Sequence, residues 1–444
     1  MTTSGIDLSR ELCSFIEASP SVFHVVANLA KALDEAGLTR LRERDAWQLR
    51  RGGSYYVTRN DSSIIAFKVG RDLPEEGYHL QMAASHPDSP TFKVKQVPEL
   101  EGPGEMLRLN VEGYGGMLDA SWLDRPLGVA GRVLVRRGDG RIESRLVASD
   151  RDVALIPNVA IHQRRDANKG FPYNHQVDLC PIFSAGSLRM GAFDEMVAHL
   201  AGVEASQLLG KDLYLCNRAA PRIWGWADEF VSAPKLDDLQ CTFPASRAFV
   251  QSDNPTCITV FACFDTEEVG SGTRQGAMST FLHDVLVRAN AALGYAQEDY
   301  LRALAASMMV SCDNGHAVHP NHPELYDARN CGRLNGGVLV KEAASQKYTT
   351  DALGRAIFTA VCNDAGVPVQ TFANRSDSAG GSTLGNKSSC QVSVLSVDIG
   401  LAQLAMHSSY ETAGSQDAEY LMRALAAFFA TDIRIDDAEL VAFE

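Results

Sequence analysis

The sequence predicts a mixed α/β protein whose mostly parallel central sheet is interrupted by a β-rich insertion. Three observations support this prediction. The chain opens with a helical pattern and two short apolar runs, and a segment dominated by strand patterns follows them. Beyond about residue 234, strand and helix patterns alternate, which is typical of parallel strands joined by helices. We therefore expect the α/β part to begin, break off and then resume.

The first elements are one helix and two buried strands. Apolar residues recur at helical spacing between residues 22 and 33, and Gly37 follows them as a stop signal. They are Val22, Val25, Val26, Leu29, Ala30 and Leu33. Ser63–Val69 and Tyr78–Ala84 are short and apolar, as buried strands are.

The insertion begins near Pro98–Gly104, which is rich in proline, glycine and glutamate. Inside it, Arg132–Val147 has the pattern of a hairpin, with alternating valines on one arm and Arg137–Gly140 as the turn. After the insertion, Thr256–Phe264 and Ala306–Ser311 are predicted strands. The helix predicted between them has an apolar face formed by Met278, Phe281, Leu282, Val285, Leu286 and Ala289.

Composition and charge narrow the possible functions. An apolar fraction of 45% over 444 residues is too much for one ordinary core, so we expect two structural units. The net charge of −14 disfavours nucleic acid or an anionic membrane as a partner. We expect neither a signal peptide nor a membrane span, because no run approaches the roughly 20 apolar residues that a span needs. Ten cysteines without a C-x-x-C pair favour the reducing cytoplasm.

Five places put a His, Asp or Glu at or just beyond the end of a predicted strand, where open α/β sheets build their sites. They are His86 with Asp88, Asp237 with Asp238, Glu267 with Glu268, Asp313 with His316 and His319, and His407. Each has an ordinary explanation when taken alone, such as a loop histidine or an aspartate at a helix N-terminus. Together they match the ligand set of a dinuclear metal hydrolase.

In their order along the chain, these motifs resemble those of the aspartyl aminopeptidase family of two-zinc peptidases. The resemblance covers nearly the whole sequence. The matching segments are 12–20, 23–26, 85–90, 114–116, 156–162, 265–271, 316–321 and 403–408.

The resemblance implies a discontinuous catalytic domain of residues 1–94 and 232–444, with the α/β/α sandwich of zinc peptidases. Residues 95–231 would form a β-rich dimerisation domain. Two zinc ions per subunit are implied, and cobalt or manganese suits such ligands nearly as well. One metal would be held by His86 and Asp313 and the other by Glu268 and His407, with Asp237 as the bridge between them.

The remaining roles follow from the same resemblance. Glu267 would act as the general base and acid, while Asp88 would orient His86 or restrain its loop. His162 would act at a neighbouring subunit's active site, binding substrate or stabilising the oxyanion, with an accessory metal role as the alternative. Further substrate contacts are implied for Glu267, Asp313, His316, Lys341 and Tyr348.

The reaction expected from these residues is removal of N-terminal residues, acidic ones above all, from small peptides. Lys341 is the candidate for the local positive group that an acidic side chain needs; the alternative is a solvated surface lysine. The implied assembly is a tetrahedral dodecamer built from dimers. A deacylase or carboxypeptidase of the same fold, a non-catalytic metal-binding scaffold and a chaperone-like cage are the competing hypotheses. We also expect a cis peptide between Asp237 and Asp238.

Overall fold

The protein is described by a computed structural model over residues 5–438 and 440–443, so residues 1–4, 439 and 444 of the predicted catalytic domain lie outside the described residues. The described helices are α1 (Gly5–Glu17), α2 (Val22–Glu35), α3 (Ala192–Ala201), α4 (Leu236–Gln251), α5 (Phe281–Ala292), α6 (Gln297–Ala305), α7 (Ala352–Asp364), α8 (Leu384–Ser388) and α9 (Asp417–Ala430).

The strands up to the middle of the chain are β1 (Thr39–Leu41), β2 (Ser54–Arg59), β3 (Ser63–Val69), β4 (Leu80–Ser85), β5 (Thr91–Glu101), β6 (Leu107–Tyr114), β7 (Pro126–Arg136), β8 (Ile142–Ala148), β9 (Ala154–Leu155), β10 (Ile182–Ser184) and β11 (Leu208–Asn217). The later strands are β12 (Arg222–Trp224), β13 (Phe230–Ala233), β14 (Ile258–Cys263), β15 (Met308–Cys312), β16 (Gly315–His316), β17 (Val338–Glu342), β18 (Val369–Ala373), β19 (Leu395–Gly400), β20 (Ala402–Leu404), β21 (Glu411–Gly414), β22 (Ile433–Ile435) and β23 (Val441–Phe443).

The main sheet has the strand order β1-β2-β3-β14-β4-β15-β19-β17-β18. Its central strands β14, β4, β15 and β19 are mutually parallel, whereas β3 is antiparallel to β2 and β14, and β17 is antiparallel to β19. The mixed α/β class is confirmed. The parallel pattern holds at the centre of the sheet and breaks near both of its edges.

Apolar residues cover both faces of the main sheet. Alternate residues of β3 enter two different clusters, because successive strand side chains point to opposite faces. Ile64 and Ala66 pack with apolar residues of α1, α2, α4, α7 and α9. Ile65 and Phe67 pack with those of α5 and α6. Each fully buried Ile or Phe side chain contributes roughly 1.5–3 kcal/mol, so burial on the two faces fixes the strand register.

The predicted elements are found with small shifts. The helix that begins at Val22 and the strand Ser63–Val69 have the predicted positions, and the strand predicted from Tyr78 begins at Leu80. Met278 was wrongly assigned to a helical face. Helix α5 begins only at Phe281, and Met278 is 41% exposed.

A second sheet contains the strands between Thr91 and Asn217, in the order β11-β5-β6-β10-β9-β7-β8, with an additional β11–β7 pairing. The predicted hairpin is present, since β7 and β8 pair antiparallel across the turn that contains Gly140. This sheet has its own apolar cluster, which includes Phe92 and Phe193. Division of the chain at residues 95 and 231 stays a prediction.

A third sheet, in the order β12-β13-β21-β20-β16, brings later parts of the chain beside the end of the main sheet. Strand β13 leads into α4, and the loop between β20 and β21 contains His407. No helix among the described residues combines the length and the apolar character that a bilayer span requires.

Candidate active site

Three of the five predicted places meet because their strands are parallel neighbours. His86 follows β4, Glu267 and Glu268 follow β14, and Asp313 follows β15. Strands β14 and β15 flank β4 on its two sides in parallel register, so all three strands end at the same edge of the sheet. The four side chains are therefore brought together at this edge.

The third sheet positions the remaining two predicted groups, Asp237 with Asp238, and His407. Asp237 lies at the start of α4 just after β13, and its backbone is extended rather than helical (φ −84°, ψ 108°). It is therefore not an ordinary residue in the first turn of a helix. The Asp237–Asp238 peptide is cis, as expected from the sequence. His407 lies in the loop between β20 and β21, with φ at +67°.

Asp237 lies between the two histidines. Its Oδ1 is 3.6 Å from Nε2 of His86, and its Oδ2 is 3.4 Å from Nε2 of His407. His86 Nε2 is also 3.9 Å from Oδ1 of Asp313, and His407 Nε2 is 3.3 Å from Oε2 of Glu268. The side chains thus form two groups that share Asp237.

These residues fit metal ions. Ligand atoms within 4.8 Å of one another occur in three groups: His86 with Asp237, Asp238 and Asp313; His86 with Glu267 and Glu268; and Asp237 with Glu268 and His407. Asp237 Oδ1 and Glu268 Oε1 are buried without a hydrogen-bond partner among the described residues. Buried carboxylate oxygens normally have partners, and a cation would provide them here.

The electrostatics also favour cations. Burial raises the pKa of Glu267 to about 8, and the charge of Asp313 adds to that rise while His86 opposes it. Burial and the charge of Asp237 raise the pKa of Glu268 well above its usual range. Burial alone would raise the pKa of Asp237, but hydrogen bonds from His407 and His86 hold that pKa below its usual range. Several buried carboxylates thus repel one another, and divalent cations would relieve that repulsion.

Asp88 restrains the active-site loops. His86 Nδ1 donates to the backbone carbonyl of Asp88 at 3.1 Å and is 3.5 Å from its carboxylate. The carboxylate accepts the backbone N–H groups of Glu267 and Glu268, each at 3.2 Å, and the Tyr114 hydroxyl at 2.7 Å. The main chain of Asp88 therefore orients His86, while its side chain holds the turn that contains both glutamates.

Two buried carboxylates of this site were missed as candidates. Asp238 was noted only as a neighbour of Asp237, yet its Oδ2 accepts the backbone N–H of His86 at 3.3 Å. Glu411 was not noted at all, although it accepts the backbone N–H groups of Asp237 and His407 at 3.0 and 2.7 Å. A glutamate at the start of a short strand after His407 was the only signal for Glu411 in the sequence.

A cavity of about 310 Å³ opens onto these groups. Besides the candidate ligands and Glu267, its lining includes His316, Lys341, Tyr348, Phe372 and residues 381–383. Five of the six substrate-contacting residues implied by the resemblance, all except His162, therefore line one cavity.

Lys341 is not a solvated surface lysine. Its side chain is 2% exposed, and its Nζ donates to the carbonyls of Asp313 and Asn314 at 2.6 and 3.3 Å. The ammonium also lies 5.2 Å from the centre of the Tyr348 ring. It is the one Lys or Arg side chain among the residues that line the cavity.

His162 lies elsewhere. It is an exposed residue of a turn in the region of the second sheet, and it does not line the cavity of its own chain. The exposed Ile161 precedes it, at 47% exposure. A role for His162 at this site therefore requires another copy of the chain.

Comparison with known proteins identifies the family. The family model described as aminopeptidase I zinc metalloprotease (M18) matches residues 15–429. The chain belongs to the M18 family. The predicted resemblance to the aspartyl aminopeptidase family is thereby confirmed, and the protein is a metal-dependent aminopeptidase.

Named relatives and solved structures agree with the M18 assignment. "Probable M18 family aminopeptidase 2" of Clostridium novyi is 41% identical over 430 residues, covering 96% of this chain and 99% of its own. The Pseudomonas paraeruginosa protein of the same name is 42% identical over 433 residues, with coverage of 96% and 98%. The structure described as the Ape4 and Nbr1 complex matches with TM-score 0.92 at 34% identity, over 95% of this chain and 85% of that chain. The S. cerevisiae mApe1 dodecamer matches with TM-score 0.84 at 29% identity, over 96% of each chain.

Proposed function

We propose that this M18 protein uses two metal ions to remove N-terminal residues, acidic ones above all, from small peptides. The arrangement of Asp237 carries the proposal, because its two carboxylate oxygens face different histidines, His86 and His407. A carboxylate so placed can bridge two cations. The buried oxygens of Asp237 and Glu268 that have no hydrogen-bond partner support the same conclusion.

Zinc is the proposed metal, with cobalt or manganese as possible replacements. His86 and Asp313 would hold one ion, and Glu268 and His407 would hold the other. Asp237 would bind both ions. When bound, the two cations would polarise the scissile carbonyl and make water acidic enough to lose a proton near neutral pH.

Glu267 is the proposed general base and acid. It lines the cavity next to the candidate ligand Glu268, and Asp88 holds its backbone N–H. Glu267 would take a proton from the attacking water and give it to the leaving amine. His162 of a neighbouring subunit would bind substrate or stabilise the oxyanion.

The free α-amine of the substrate would bind beside the metal-binding carboxylates, with Glu267 and Asp313 as its proposed contacts, and this would limit cleavage to free N-termini. Lys341 is the proposed partner of an acidic substrate side chain. An ammonium has three donors, and the carbonyls of Asp313 and Asn314 account for two of them. Asp313 Oδ2 lies 3.9 Å from Nζ, beyond hydrogen-bond distance, so the third donor would remain for a substrate carboxylate. His316 and Tyr348 line the same cavity.

We further propose that the catalytic domain, residues 1–94 and 232–444, is an α/β/α sandwich and that residues 95–231 form the dimerisation domain. Dimers would assemble into a tetrahedral dodecamer in the cytoplasm. The dodecameric state of the S. cerevisiae protein and the exposed position of His162 support this assembly. The ten free cysteines support a reducing compartment.

The deciding experiment measures free amino acids released from peptides that begin with Asp, Glu or Leu, with N-acetylated peptides as controls. The protein is assayed as purified, after chelation, and after zinc or cobalt is added back. Metal-dependent cleavage of only the free-amine peptides is expected, with Asp and Glu ahead of Leu. Cleavage of acylated or C-terminal substrates would favour the deacylase or carboxypeptidase hypothesis. If fully metallated protein cleaved nothing, a scaffold or cage would be favoured.

A further inference from the structure

The segment from Tyr114 to Leu118 comprises the last residue of strand β6, in the second sheet, and the loop that follows it, and it lies against the candidate metal ligands. A β-carbon added to Gly115 would stand 3.2 Å from the β-carbon of Glu268, and φ of Gly115 is +77°. The backbone N–H of Leu118 donates to the carbonyl of His407 at 3.1 Å. The loop that follows the second sheet's strand β6 thus contacts two candidate ligands of one metal, Glu268 and His407, within the same chain.

Tyr114 makes the shortest of these contacts. Its hydroxyl donates to Asp88 Oδ2 at 2.7 Å, whereas the backbone N–H groups of Glu267 and Glu268 are each 3.2 Å from the same carboxylate. The Asp88 side chain is only 2% exposed, so water cannot easily replace a lost donor. Without the phenol, the carboxylate would be held by two longer hydrogen bonds and would be free to turn toward His86, 3.5 Å away.

We propose that Tyr114 is a positioning residue of the active site: its hydroxyl fixes the Asp88 carboxylate, and Asp88 in turn fixes the backbone of Glu267 and Glu268. The second sheet would then complete the metal site of its own chain, apart from any role in assembly. This inference rests on the proposed function, because it assigns metal binding to Glu268 and proton transfer to Glu267.

Tyr214 offers a matched control. Its ring is 5.7 Å from the Tyr114 ring at an interplanar angle of 76°, so both tyrosines belong to the same aromatic contact. Of the two, only Tyr114 donates a hydrogen bond to Asp88. Removing either hydroxyl keeps the aromatic contact, but only Tyr114→Phe removes the donor to Asp88.

The test compares Tyr114→Phe and Tyr214→Phe in the full-length assembled protein. The measurements are zinc affinity by competition with a chromogenic chelator, the visible spectrum of the cobalt-substituted protein, and kcat and KM on an Asp-initiated peptide. Outer hydrogen bonds of this kind typically contribute about 10- to 100-fold in metal affinity or activity. For Tyr114→Phe we expect a loss of that size in zinc affinity and in kcat, with KM within about twofold, and an altered cobalt spectrum. Tyr214→Phe should match wild type in all of these.

Identical behaviour of the two variants would overturn the proposal. A mutant cycle adds a second criterion: Asp88→Ala removes the acceptor of the Tyr114 hydroxyl, so Tyr114→Phe should cause no further loss in that background, and additive losses would contradict action through Asp88. Gly115→Ala tests the same segment independently, since its β-carbon would press on Glu268 and should lower zinc affinity. Zinc affinity and the cobalt spectrum remain informative even if the wild-type protein cleaves no peptide, so failure of the proposed reaction is distinguishable from failure of this inference.

Discussion

The carboxylate of Glu411 accepts the backbone N–H of Asp237 at 3.0 Å, although both residues are acidic and buried. Its other oxygen accepts the backbone N–H of His407 at 2.7 Å. One side chain therefore fixes the main chain at two proposed ligands that are far apart in sequence. We therefore expect the proposed metal site to depend on this link as well as on the ligands themselves.

Glu411→Gln should weaken metal binding. An amide retains one acceptor oxygen, so one of the two backbone N–H groups would lose its partner. We expect zinc affinity to fall by about 10- to 100-fold, measured by chelator competition. Glu76→Gln, at an exposed residue, controls for the lost charge. Equal affinities for the two variants would show that Glu411 does not support the ligands.

Glu267→Gln should separate catalysis from metal binding. The amide keeps the size of the side chain but cannot accept the proton of the attacking water. We expect kcat to fall by about 10²- to 10⁴-fold, the usual contribution of a general base. Metal content is measured in the same samples and should stay unchanged. Near-normal turnover at full metal content would refute the proposed role of Glu267.

His24 should make stability depend on pH. Burial, and then the charge of Lys235, lower its pKa from 6.5 to about 4. Between pH 6.5 and about 4, His24 is therefore protonated in the unfolded chain but neutral in the folded chain. The contribution of neutral His24 to the free energy of unfolding is fully present above pH 6.5 and is lost as the pH falls toward 4. The free energy of unfolding falls by at most about 3 kcal/mol over this pH range.

The measurement is the melting temperature of wild type and His24→Asn between pH 4 and 8. Wild type should lose more stability than the variant as the pH falls through this range. The same change at His199, an exposed residue of α3, corrects for loss of an imidazole as such. Parallel curves for wild type and His24→Asn would contradict the expectation.

The sequence was sufficient to bring most of the site together, because residues that follow neighbouring parallel strands must meet at one edge of the sheet. His86, Glu267 and Asp313 could be grouped on that basis alone. Asp237 and His407 were grouped with them by the same pattern although they come from the third sheet, and the family resemblance was needed to divide the ligands between two metals. The hairpin in the insertion was likewise predictable, since turn and strands are local in sequence.

Long-range contacts were not predictable. Glu411 and Asp237 are separated by 174 positions, and Tyr114 and Asp88 by 26, with strand β5 between them. No local pattern reveals which buried carboxylate a distant donor will reach. The antiparallel pairings of β3 and β17 escaped prediction for the same reason, because strand order in a sheet depends on how the chain crosses over.

Removing metal should reduce both activity and stability. Without cations the carboxylates around Asp237 and Glu268 repel one another in a buried place. Chelation should therefore abolish peptide cleavage and lower the melting temperature, and zinc or cobalt should restore both. The rise in melting temperature should depend on metal concentration, as binding to the folded state requires. A melting temperature that did not respond to chelation or to added metal would contradict metal binding at the cluster.

His162 provides the last prediction, because it is exposed and does not line the cavity of its own chain, so its proposed role would be at another copy of the chain. His162→Ala and Glu267→Gln should each inactivate the protein. If His162 serves a neighbouring active site, an oligomer reassembled from equal amounts of the two variants contains sites with Glu267 from one subunit and His162 from the next. Random pairing would restore activity at about a quarter of the sites. Reassembled wild type gives the reference rate, and each variant reassembled alone gives the background. If the mixed oligomer were as inactive as each variant alone, His162 would not act across the interface.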